Sequence, residues 1–121
     1  MTINEFLEKT REETPDDSWV KIRPAIICKD GLRLSVQASI GHYCVPRTNK
    51  GPYSHVEVGF PSKVPPKSWA EYFDGTFSRK TAKHSVYGYV PVEVVQEWIN
   101  EHGGIDFEKT MNRGIKDKYE K

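Results

Sequence analysis

Around Asp30-Gly31 the apolar residues recur at every second position, and this alternation constrains the fold more than any other feature of the chain. Asp-Gly accepts the positive φ angles of a tight turn, so Lys29-Asp30-Gly31-Leu32 predicts a two-residue β-hairpin. On the second arm, Leu32, Leu34, Val36, Ala38 and Ile40 alternate with Arg33, Ser35, Gln37 and Ser39, as in a half-buried strand. A two-residue turn places Ile27 opposite Leu34 and Ala25 opposite Val36. Continued unbroken, that register brings Arg23 and Lys21 onto the apolar face. Pro24, which has no N–H to give a ladder, sits at the break. The sequence therefore predicts a bulge or bend near Pro24 that returns Val20 and Ile22 to the core and turns Arg23 outward.

The remaining elements follow from caps and periodicity. Thr2-Ile3-Asn4-Glu5 is a capping-box pattern, and Ile3, Phe6, Leu7 and Thr10 continue it at helical spacing, which predicts a helix over 3–13. His42 to Pro52 reads as a loop. Tyr53 to Phe60 alternates again, with Val56, Val58 and Phe60 on one face. Residues 61–66 read as extended linker and 68–73 as a short helix begun by Ser68. Residues 74–84 are the expected mobile loop, and Ser85 to Val90 a short strand. Pro91 suits the first turn of a helix whose stripe is Val92, Val95 and Ile99 and whose stop is Gly103-Gly104, giving a helix over 91–102. Phe107, Met111 and Ile115 recur at four-residue spacing, so the tail is expected to dock partly as a helix. The fold class is α+β, an antiparallel sheet of about four to five strands with N-terminal and C-terminal helices. The 121 residues make one domain. Within it, 1–17 is helix and linker, 18–90 sheet and loops, and 91–121 helix and tail.

Composition narrows the function classes. A formal charge of +1 supplies no bulk field to draw the chain onto long nucleic acid or an acidic membrane. No run approaches the roughly 20 apolar residues needed to span a bilayer. The polar, acidic start does not read as a signal peptide. A cytoplasmic protein is expected, with Cys28 and Cys44 reduced and packed. With 36% hydrophobic residues there is little spare apolar surface, so an oligomer sharing some of its core fits the composition.

The chain lacks a convincing catalytic constellation. His42 and Cys44 share a strand face and His55 can approach them across a sheet, but a fourth ligand is missing for a metal. A His42–His55 pair suits acid–base chemistry, yet ordinary strand histidines are the simpler reading. Gly103-Gly104 follows a helix and is a cap, not a phosphate cradle. What remains is arginines and aromatics on loops and strand ends. Arg23, Arg47, Arg79 and Arg113 can offer forks to phosphate. Tyr43, Tyr53, Phe77, Tyr87, Tyr89 and Phe107 can offer faces to a base. Arginines near aromatics at near-zero net charge suit a compact anionic ligand better than a long polyanion.

Five stretches carry a resemblance: WVKIRPAIICKDG from Trp19, LSVQAS from Leu34, HYCVPR from His42, YSHVEVGFPS from Tyr53 and VYGYVPVEVVQEWINEHGGI from Val86. Together they cover most of residues 19–105, and the chain resembles the Thoeris anti-defence sponge family of phages and prophages (Thoeris anti-defence protein one). The resemblance implies a non-enzymatic protein, without cofactor or metal, that captures a cyclic ADP-ribose isomer in the bacterial host cytoplasm. It also implies a second site for cyclic oligonucleotides in some members, and pockets between subunits of a homo-oligomer, a dimer or a hexamer. Under it, Arg23 and Arg113 are the choices for pyrophosphate contacts and Arg47 for the second site, with His42 and Tyr43 in the same HYCVPR loop. Phe77, Tyr87 and Tyr89 are the choices for adenine stacking. A protein-binding inhibitor of another defence effector, such as a CRISPR or restriction complex, and a small hydrolase using His42 or His55 stand as alternatives.

Overall fold

The computed structural model describes all residues except 17, 74, 76, 79, 120 and 121, and no side chain from 115 to 119. Arg79 therefore lies outside the described residues, as do parts of the loop over 74–84 and the side chain of Ile115. The described residues form helix α1 (Ile3–Lys9), strands β1 (Ile26–Ile27), β2 (Arg33–Gln37) and β3 (His55–Gly59), a 3-10 helix (Lys67–Tyr72), strand β4 (Val86–Pro91), and helices α2 (Val92–Glu101) and α3 (Phe107–Tyr119). The four strands make one antiparallel sheet in the order β1-β2-β3-β4. This is the α+β architecture the alternation predicts.

The capping box at Thr2 forms as the sequence implies. The Thr2 hydroxyl accepts from the Glu5 N–H at 3.1 Å, and the Glu5 carboxylate accepts from the Thr2 N–H at 2.9 Å. The helix is shorter than expected, ending at Lys9 with Thr10 as its cap. Beyond it the backbone finds other partners. Thr14 N–H donates to Trp19 O and Lys21 N–H to Glu12 O, so 12–14 run extended against 19–21. Pro15 favours this, because it biases Thr14 away from helical angles.

The hairpin also differs from expectation, by one residue. Ile26 pairs with Leu34 and Ile27 with Arg33. Cys28 N–H donates to Leu32 O and Gly31 N–H to Cys28 O, with Gly31 at φ +99°. The turn is thus a three-residue loop with glycine in the left-handed position. Its exposed amides are taken by the end of α2: Lys29 N–H donates to Gly104 O and Asp30 N–H to His102 O. Asp30 Oδ2 meets His102 Nδ1 at 2.5 Å. Leu32, Leu34, Val36 and Ala38 are buried as predicted, but Ile40 is half exposed.

No regular ladder passes Pro24, since β1 holds only Ile26 and Ile27. The consequence for its neighbours is a correction. Val20 is buried, but Ile22 is 66% exposed and Arg23 only 3% exposed. Past Ile26 the partner of the chain is a side chain: Gln37 Oε1 accepts from Arg23 N–H at 2.9 Å and Gln37 Nε2 donates to Arg23 O at 2.8 Å. That clamp draws Arg23 inward.

The core lies between the sheet and the helices. Ile3, Phe6 and Leu7 of α1 and Val95, Trp98 and Ile99 of α2 cover Leu34, Val36, Val56, Val58 and Tyr87. Trp69 of the 3-10 helix packs edge-on against Tyr87 and Trp98, at 5.6 and 5.1 Å between ring centroids. Phe60, expected inside, is 61% exposed because the chain turns through φ +49° there. Among the described residues, no helix is long and apolar enough to cross a membrane.

Candidate functional site

The structure brings together three of the side chains that the sequence singles out: Tyr43, Tyr89 and Arg47. A bulge in β4 does it. Val56 pairs with Val90 and Val58 with Tyr87, so Gly88 and Tyr89 both face the single residue Glu57. Tyr89 takes a left-handed φ of +53°, a conformation that costs a tyrosine on the order of 1 kcal/mol or more. Two hydrogen bonds hold the arrangement. Tyr89 N–H donates to Tyr43 O at 3.0 Å, and Tyr43 N–H donates to Glu57 Oε2 at 2.9 Å. Gly88 lets the loop approach, because a Cβ there would lie 3.2 Å from Tyr43 Cβ.

The resulting cluster is open to solvent. The Tyr43 and Tyr89 rings lie 5.7 Å apart at 41°, with the two side chains 51% and 46% exposed. The Arg47 guanidinium sits 5.5 Å from the Tyr43 ring centroid, a cation–π distance. Its Nε donates to Ile40 O at 3.0 Å, which fixes the plane of the fork. Beside the two tyrosines runs an open groove of about 610 Å³, whose other wall includes Glu71, Tyr72 and Phe73. Burial and the adjacent Glu71 carboxylate push the Tyr72 hydroxyl up. Pockets of this size hold small organic ligands, aromatic walls giving area and a few polar groups giving orientation.

The other candidates are placed elsewhere. Tyr87 is fully buried and donates its hydroxyl to Ala82 O at 2.6 Å, so it is core and offers no face to a base. Phe77 is half-buried and meets Phe73 edge-on at 5.9 Å. Arg23 is almost wholly buried and already engaged by main-chain acceptors: Nε donates to Leu7 O at 3.0 Å and Nη1 to Ala38 O at 2.7 Å. Burial holds its pKa below the ordinary arginine value. It does border a second cavity, of about 260 Å³, beside Asn4, Glu8, Lys50 and Tyr53. Arg113 is exposed on α3, beside Gly114, where an added Cβ would lie 2.9 Å from Pro24 Cβ.

His42 is 9% exposed, with Nδ1 at 2.6 Å from the Ser39 hydroxyl. Burial depresses its pKa, opposed by the Glu57 carboxylate and assisted by Arg23 and Arg47. Ser39 is fully buried and its Oγ also accepts from Gly41 N–H, so the pair clasps the loop. His55 hydrogen-bonds its neighbour Ser54 at 2.8 Å. Among the described residues no three His, Cys, Asp or Glu side chains gather as a metal site.

Glu57, Glu71 and Gly88 escape the sequence reading. A glycine inside a strand pattern, between Tyr87 and Tyr89, is the available signal, since it marks a bulge or a close backbone approach. Comparison with protein-family models, curated proteins and solved structures finds no match to this chain.

Proposed function

We propose that this protein binds and sequesters a cyclic nucleotide immune messenger, of the glycocyclic ADP-ribose kind, without degrading it, and so blocks Thoeris-type signalling. The observation that supports the reading is the Tyr43–Tyr89–Arg47 cluster beside its groove. It offers aromatic faces to a base and a charged fork to phosphate. A sponge gains from slow release and needs no complementarity to a transition state. In this reading Arg47 serves the messenger's phosphate and not the second, cyclic-oligonucleotide site for which the resemblance chose it; the chain is phage-encoded and works in the host cytoplasm. Exposed Trp19, Ile22, Ile40 and Phe60 suit assembly into a homo-oligomer.

Calorimetric titration with glycocyclic ADP-ribose tests the site. Wild type is expected to bind. Tyr43→Ala and Arg47→Ala are each expected to weaken binding at least about tenfold, the scale of a lost stacking or charged contact. Unchanged affinity in both variants would move the site away from this cluster.

A second reading, a protein-binding inhibitor of another defence effector, draws on Phe60, which stands out from the sheet at 61% exposure. It predicts co-purification of a host protein that Phe60→Asp abolishes, and no thermal shift with nucleotides.

A further inference from the structure

We infer that Glu71 is the specificity determinant of the groove, accepting a hydrogen bond from the exocyclic amine of a bound purine. This rests on the nucleotide-binding reading above. Two opposite charges adjoin the tyrosines. Arg47, a cation suited to phosphate, lies 5.5 Å from the ring of Tyr43, outside the groove's own lining. On the wall that includes Tyr72 and Phe73 stands the Glu71 carboxylate, which accepts hydrogen bonds and repels anions.

A ligand that lies in the groove and reaches past Tyr43 to Arg47 is then anionic at one end and presents N–H donors at the other, with a flat apolar middle. A nucleotide with an amine-bearing base has that polarity. Its ring lies against the tyrosines, its phosphate reaches Arg47, and its amine reaches Glu71. A phosphorylated sugar without a base lacks the flat section. An acidic peptide would set a carboxylate against Glu71.

The orientation is supported from the protein side. Glu71 lies in the 3-10 helix Lys67–Tyr72, which the buried Trp69 pins to the core. Phe73 bridges to Tyr87 on β4. The carboxylate is thus presented from a fixed element, as a specificity contact requires. A site built to accept a donor discriminates against an analogue lacking it, because the carboxylate is then desolvated without a partner.

The test compares glycocyclic ADP-ribose with its 6-desamino analogue, in which hydrogen replaces the adenine amine, by calorimetry on wild type and Glu71→Ala. Glu71 is exposed, and the melting temperature of the variant checks that the fold is retained. Wild type is expected to prefer the amine-bearing nucleotide by about tenfold or more. Glu71→Ala should equalise the two by losing affinity only for that nucleotide. Equal affinities in wild type, or a preference that survives in Glu71→Ala, overturn the assignment while leaving nucleotide capture standing. Failure of wild type to bind either nucleotide overturns both.

Discussion

Arg23 shows how far a single side chain can depart from its sequence pattern. On a strand with period-two alternation an arginine between Ile22 and Pro24 reads as exposed, and a resemblance makes it a ligand contact. Its guanidinium instead closes two main-chain acceptors, Leu7 O at the end of α1 and Ala38 O after β2. Truncation leaves those carbonyls unpaired, so Arg23→Ala is expected to cost about 2–4 kcal/mol of stability, read from the urea midpoint. Lysine lacks the fork and should rescue poorly. A purely ligand-directed arginine would lose affinity with stability unchanged.

His42 has a signed consequence for pH. Its folded pKa lies below the unfolded value, so below about pH 6.5 the unfolded chain binds more protons than the folded one. Its contribution is complete above that value and is lost as pH falls toward the folded pKa. Wild type is expected to lose stability on acidification through this window, and His42→Gln to lose less. The thiols behave in the opposite sense. Burial pushes Cys28 up to about 11 and raises Cys44, so both stay protonated at neutral pH. A thiol reagent at pH 8 is expected to label the native protein slowly and the denatured protein fully.

At the level of elements, α2 was the most legible, because a proline start, an apolar stripe and a Gly-Gly stop all agree locally. The helix forms over Val92–Glu101 with Val95, Trp98 and Ile99 buried. The hairpin was legible as a hairpin, but its register was not. A one-residue difference in loop length exchanges Ile26 for Ile27 opposite Leu34, and the longer loop is held by His102 and Gly104, more than 70 residues away. α1 was overextended for a similar reason, since the residues after Lys9 pair with 19–21 instead of winding on. The candidate site was half legible. Tyr43, Arg47 and Tyr89 could be named, but only the β4 bulge brings them together, and Tyr87 could not be told from Tyr89 without it. α3 supplies a further test: a Cβ on Gly114 would lie 2.9 Å from Pro24 Cβ. Gly114→Leu is expected to displace the helix and cost about 1–3 kcal/mol, seen as a lowered melting temperature.

For the whole molecule, a net charge of +1 hides a local division of sign. Arg47 lies against Tyr43 and Glu71 lines the groove beside it, so under the proposed reading the pair favours a compact anionic nucleotide with an amine-bearing base, while the low net charge gives no pull on long polyanions. Binding to the native state alone must also stabilise it, by about 2.7 kcal/mol when ligand is at a hundred times its dissociation constant. The most direct measurement of sequestration is capture and release. The protein is incubated with glycocyclic ADP-ribose, freed of excess by desalting, heat-denatured, and the supernatant analysed by mass spectrometry. Recovery of the intact cyclic nucleotide from wild type, and of much less from Tyr43→Ala, is the expected result. A ring-opened or hydrolysed product, or no nucleotide at all, would contradict it.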